Sequence, residues 1–253
     1  MEIGALPGGR IAAARMEYLA CECTFFAPVK DDDAIMAAYR RAREEGPAEG
    51  FVPILVKADE LLWEWLSMNA RPAGADRDNC SFDPKRVAEF RRQALALPLE
   101  EGSTLFERMR GWRREPPQEA PGMEGGEVND CFAGYWDVFS GMTAPLILAK
   151  VPVKGPWEVF AYLPFGGWNS CPDTVRLMTT AKYWFEQYGA VPAVISHDTL
   201  EFDLPSPVSR ENALELAAEQ YSFCSDVDEG SGWHLGVLAD TLCRSTVWHF
   251  WWD

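Results

Sequence analysis

Three residues have the types and spacing from which a reaction could be built: Cys171, His197 and Asp198. Cys171 precedes Pro172, and proline suits the first position of a helix, which makes Cys171 a helix cap unless Asp173 takes that place. A thiol at a helix N-terminus feels the dipole, so its pKa is expected to fall. His197 would be the base and Asp198 or Asn169 would orient it, the logic of a cysteine–histidine nucleophile. The competing account of Cys171 is plain packing, because cysteine is among the most buried residue types. A metal set would draw on Cys171, His197, Asp198, Cys224 and Asp226. Those ligand types suit zinc, but the spacing matches no known geometry, so neither a metal nor a cofactor is assigned. As a binding surface, the same five residues join Trp168, Asn169 and Glu201. Simpler accounts compete here too: an outward-facing strand carboxylate for Glu201, a solvated helix face for Glu219, and satisfied histidines in an aromatic setting for His234 and His249.

The last hundred residues must position this set. Residues 158–163 are predicted as a strand, followed by a tight turn at Gly166-Gly167. Those glycines permit positive φ; they lack the spacing and the lysine of a phosphate loop. Val175, Leu177, Met178, Ala181, Trp184 and Phe185 recur at three- and four-residue steps, which predicts a helix over 173–188 that Gly189 stops. Residues 190–195 form the next strand. One helix between two strands implies a parallel pair with a right-handed crossover. The loops after both strands then share an edge, so Asn169-Ser170-Cys171 lies beside Ser196-His197-Asp198, where ligands of open α/β sheets bind. Leu200 to Leu204 alternates apolar and acidic residues and reads as the return arm of a hairpin; one long bent strand is the alternative. The hairpin alone brings Cys224 and Asp226 to the same edge. Ser209 caps a helix over 210–223, a short helix follows over 235–242, and residues 247–252 are the closing strand.

Upstream, residues 11–19 and 34–45 read as helices, the second opened by Asp31-Asp32-Asp33 and ended by Gly46-Pro47. The triplet lacks the glycine and terminal glutamate of a calcium loop, so capping is its assigned role. Cys21-Glu22-Cys23 is too tight a spacing for both thiols to hold one zinc. Residues 51–56 form an apolar strand that Pro53 assigns to an edge or bulge. Asp59 caps a helix through 66, and Pro84 opens another. The fold class is mixed α/β: a partly parallel sheet flanked by helices, with a smaller helix-rich N-terminal part. The chain divides into an N-terminal region over 1–97, a Pro- and Gly-rich linker or mobile excursion over 98–130, and a C-terminal α/β domain over 131–253.

A chain of 253 residues hides roughly 70–75% of its extended surface on folding and needs no staple. Its net charge of −16 repels a phosphate backbone and an anionic bilayer, so nucleic acid and membrane are excluded as partners. Seven cysteines at irregular spacing do not make a disulfide framework, and with no basic-then-apolar leader the compartment is read as cytoplasmic. Eleven tryptophans supply either a ring-rich core or a cleft.

The segments Pro164-Phe165-Gly166-Gly167-Trp168-Asn169-x-Cys171-Pro172, Tyr188-Gly189-Ala190, Ser196-His197-Asp198-Thr199-Leu200-Glu201-Phe202, Ala213-Leu214-x-Leu216-Ala217-x-Glu219-Gln220-Tyr221-x-Phe223-Cys224-x-Asp226 and Trp248-x-Phe250-Trp251-Trp252-Asp253 resemble, in order, the bacterial family of domain of unknown function 4253. The resemblance spans about residues 145–253. It implies a bacterial protein and supplies no activity to carry over. The functional expectation is an acidic protein that binds a small molecule or a protein partner, with neutralisation of a partner as one form of that role, without catalysis. The alternative is a Cys/His- or metal-dependent hydrolase with its site at the carboxyl ends of the strands.

Overall fold

The computed structural model describes residues 8–73, 82–112, 122–225 and 235–253. In chain order its strands are β1 (Glu22–Phe26), β2 (Val52–Lys57), β3 (Trp136–Asp137), β4 (Met142–Thr143), β5 (Leu146–Val151), β6 (Val191–Ile195), β7 (Thr199–Asp203) and β8 (Val247–Trp251). β3 and β4 pair with each other; the rest form one mixed sheet in the order β1-β5-β2-β6-β7-β8. Among the described strands of this sheet, only β2 and β6 run parallel. The helices are α1 (Gly9–Leu19), α2 (Asp33–Glu49), α3 (Glu60–Asn69), α4 (Pro84–Ala96), α5 (Gly102–Trp112), α6 (Val159–Tyr162), α7 (Thr174–Tyr188), α8 (Ala213–Phe223) and α9 (Leu235–Leu242). Among the described residues, no helix is long and apolar enough to cross a membrane.

Strand alternation divides the core in two. Leu200, Phe202, Trp248 and Phe250 join the larger cluster with α1 and α3 to α9. The opposite face packs Leu55, Leu148 and Val247 against Ile35, Tyr39 and Ala42 of α2 and against Phe132 and Tyr135. Trp184 of α7 anchors the larger cluster, with Phe202, Phe223, Trp248 and Phe250 ringed around it at centroid distances of 5.0–5.5 Å. The tryptophan-rich C-terminal segment is therefore largely core.

Several expectations hold. β6 and β7 form the hairpin, Gly189 ends α7 with φ 71°, and Asp59 caps α3 by accepting from the Leu62 amide at 2.8 Å. Others are corrected. Residues 158–163 are helical, not a strand: a 3₁₀ turn over Pro156–Glu158 runs into α6. Glu158 Oε2 accepts from the amides of Lys154 and Gly155 at 2.8 and 3.0 Å and so starts the helical turn. Val159, Phe160 and Ala161 are all fully buried, and a run apolar on every side carries no strand-or-helix signal. The parallel partner of β6 is therefore β2. Pro53 does not put β2 at an edge, because the β2–β6 ladder registers only Leu55 and Val56 and leaves Pro53 beyond it. Part of the expected linker is ordered: Leu105 and Phe106 of α5 are fully buried. α2 runs through Pro47 to Glu49 and stops at Gly50, whose φ is 79°.

Candidate functional site

Parallel strands end at the same rim, and the loops after β2 and β6 do meet there. They bring His197 to Asp59. Nδ1 of His197 lies 3.5 Å from Asp59 Oδ2, an ion-pair distance, and Nε2 lies 3.2 Å from Asp198 Oδ2. The imidazole is bracketed by carboxylates. Its pKa is raised, by Asp59 first, against partial burial and with further help from Asp198. Burial alone would raise the pKa of Asp59, but His197, the Leu62 amide and the charge of buried Arg15 together hold it below the usual range. Asp198 is fixed in turn: Oδ1 accepts from Ser196 Oγ at 2.7 Å and Thr199 Oγ1 at 3.0 Å, and Oδ2 accepts from Trp251 Nε1 at 3.1 Å. Both nitrogens of His197 thus face acids that order the turn.

The Gly-Gly-Trp loop reaches this rim by another route. Trp168 stacks on Trp65 of α3 at 5.6 Å, and Asn69 Nδ2 donates to the carbonyls of Pro164 and Gly166. Gly167 has φ 90°, and a Cβ on Gly166 would meet the Pro172 carbonyl at 1.9 Å, so both glycines are required. Asn169 Nδ2 donates to the Asp253 carbonyl at 2.6 Å, and the Trp252 amide donates to the Asp198 carbonyl at 3.0 Å. The two residues after β8 therefore join the two turns that the wrong strand pairing was expected to join.

Cys171 is not the helix cap. Asp173 is, accepting from the Arg176 amide at 3.0 Å. Cys171 is 5% exposed, and burial pushes its thiol pKa up, with Cys224 adding to the rise. Cys224 is buried and donates to the Trp251 carbonyl at 3.0 Å. Among the described residues, the group of three ligand atoms within 4.8 Å is Asp31, Asp32 and Asp33, and Cys171, His197, Asp198 and Cys224 make no such group. Asp226 and His234 lie outside the described residues.

Glu201 stands apart from the rim. It is fully buried on the α2 face, where Oε1 accepts from the Ala133 amide at 2.9 Å and Oε2 from the Gly134 amide at 3.1 Å. The outward face of the strand expected for it is thus a covered one. Directly across from it on β8 is His249, whose Nδ1 lies 2.9 Å from Glu201 Oε1. A carboxylate only accepts, so the proton is assigned to Nδ1, and Nε2 has no protein partner among the described residues. Glu219 is no solvated residue either: it accepts from Tyr183 and Trp184.

His249 opens on a cleft of about 520 Å³ along β8, lined by residues 127–129, α9 and Gln220. β8 is the last strand of the sheet. The bonds Leu204 N to Thr246 O and Trp252 N to Asp198 O turn the even-numbered backbone groups toward β7. Val247, His249 and Trp251 turn theirs outward. The Val247 amide is taken by the Asn129 carbonyl at 3.0 Å and the Trp251 carbonyl by Cys224. Between these two closures, the His249 amide and carbonyl and the Trp251 amide have no partner among the described residues.

Sequence reasoning missed Asp59 as the partner of His197 and His249 as the partner of Glu201. The second was accessible: Glu201 lies between Leu200 and Phe202, and His249 between Trp248 and Phe250, so pairing those two strands places both polar residues on the other face. No curated protein and no solved structure matches the chain. Residues 147–253, which hold β6 to β8, the His197–Asp198 turn and the Glu201–His249 pair, match the family model described as Domain of unknown function (DUF4253).

Proposed function

We propose that the protein binds a short extended peptide segment of a partner, which adds as a strand along β8, and that it does so without catalysis. The observation that carries this reading is the open stretch of strand edge at His249 and Trp251 inside the cleft. Unpaired edge groups are a template for another strand, and main-chain bonds made there give affinity while neighbouring side chains give selectivity. His249, held by Glu201, supplies the selective group beside the added strand. The non-catalytic part of the reading draws support from the buried thiols of Cys171 and Cys224 and from the doubly engaged His197. Free thiols at every described cysteine and the net charge of −16 favour a cytoplasmic setting and a partner other than nucleic acid.

Hydrogen exchange tests the proposal. In the free protein, the amides of His249 and Trp251 should exchange quickly. Peptides selected from a random pentapeptide library should slow both. Trp251→Pro removes one outward donor and should abolish that binding, whereas Trp251→Phe should retain it. Slow exchange in the free protein, or peptide affinity unchanged in Trp251→Pro, overturns the reading.

A further inference from the structure

The hairpin of β3 and β4 carries two large apolar side chains into water at its tip: Val138 is 92% exposed and Phe139 103%. The tip is not loose. Asp137 Oδ1 accepts from the Phe139 amide at 2.9 Å, and the Gly141 amide donates to the Asp137 carbonyl at 2.9 Å, with φ 62° at Gly141. The base is held more firmly still. Tyr135 is fully buried and its hydroxyl donates to Asp32 Oδ2 at 2.6 Å; Ala133 and Gly134 are bound by Glu201; Thr143 exchanges two bonds with Val29. An ordered support thus presents an aromatic ring that makes no packing contact of its own.

Carboxylates lie on the hairpin and at its base. Asp137 is on the hairpin itself, Asp31, Asp32 and Asp33 cluster beside the Tyr135 hydroxyl, and Asp130 precedes the base. The cations facing the same groups are fewer: Lys30 next to the triplet, Lys57 toward Asp137, and Arg40 toward Cys131. The surplus is negative, as in the chain as a whole.

We propose that the Val138–Phe139 tip is the anchor of a protein interface, inserting into an apolar pocket rimmed by lysine and arginine on a basic partner. A rigid aromatic anchor loses little conformational freedom on binding, and complementary charge around it sets encounter rate and choice of partner. An anionic membrane is disfavoured as occupant by the same carboxylates. Neither tip residue lines the cleft along β8.

The test is selection of a phage-displayed dodecapeptide library on the full chain. Selected peptides should combine apolar residues with Lys or Arg, bind more weakly as salt rises, and lose about tenfold or more in affinity against Phe139→Ser and Val138→Ser. Trp251→Pro should leave their binding unchanged, which separates this site from the cleft. Both serine variants should keep the wild-type circular dichroism, since neither side chain is buried. Among the selected peptides that still bind Trp251→Pro, sequences without basic residues or equal affinity for Phe139→Ser would overturn the proposal, as would the absence of any such peptide or Phe139-dependent sedimentation with phosphatidylcholine or phosphatidylserine vesicles.

Discussion

Glu201 and His249 stand opposite each other on β7 and β8, and the same buried carboxylate that holds the imidazole also holds the amides of Ala133 and Gly134. One side chain therefore ties the cleft residue to the base of the β3–β4 hairpin. Glu201→Leu should orphan two backbone donors and free the imidazole, at a loss of about 2–5 kcal/mol. Glu201→Gln should fall between, because its amide still accepts at one oxygen. Urea unfolding midpoints give both values. A leucine variant as stable as wild type would remove Glu201 from this role.

The bracket around His197 should make stability depend on pH in a definite direction. The folded pKa lies above the unfolded value of about 6.5, so the imidazolium's contribution is complete below that pH and fades as pH rises through the folded pKa. Asp59 runs the other way: its folded pKa is lowered, and its share is lost as pH falls through that lowered value. The difference in unfolding free energy between wild type and His197→Asn should be on the order of 1 kcal/mol near pH 5–6 and shrink above neutrality. A difference that is flat from pH 5 to 9 would contradict the ion pairing.

Thiol chemistry should follow exposure. Cys131 is exposed, although its pKa is raised by Asp130, whereas Cys171 and Cys224 are buried. Iodoacetamide in native buffer should label Cys131 and spare Cys171 and Cys224 until urea is added, as read by peptide mass spectrometry. Rapid native labelling of Cys171 would revive the nucleophile reading.

Removing residues 248–253 deletes Trp248, Phe250 and Trp252, all buried around Trp184 and Phe223. Each ring is worth roughly 3–5 kcal/mol against a total stability of about 5–15 kcal/mol. The truncated chain should therefore be unfolded by circular dichroism, and a cooperative thermal transition in it would refute the core assignment.

Much of the C-terminal half is legible in the residues because its signals are local. The three- and four-residue spacing from Val175 to Phe185 with Gly189 behind it gives α7, and the alternation from Leu200 to Leu204 gives β7. The apolar run at 158–163 fails because no solvent-facing position interrupts it, and the turn that begins it depends on Glu158 reaching back to Gly155. Parallel pairing does gather the loops after two strands, but one of those strands is β2, from the other end of the chain, and no local pattern shows which strands are neighbours. The expected fall in the thiol pKa of Cys171 rested on the cap position, which Asp173 holds instead.

The position of β2 between β5 and β6 bears on how this polypeptide can be divided. Cut out alone, residues 147–253 would lack β1 and β2, so both flanks of β5 and one flank of β6 would lie bare. Such a fragment should aggregate when produced by itself and turn soluble when co-expressed with the preceding half, a case of fragment complementation in which β1 and β2 are supplied from outside.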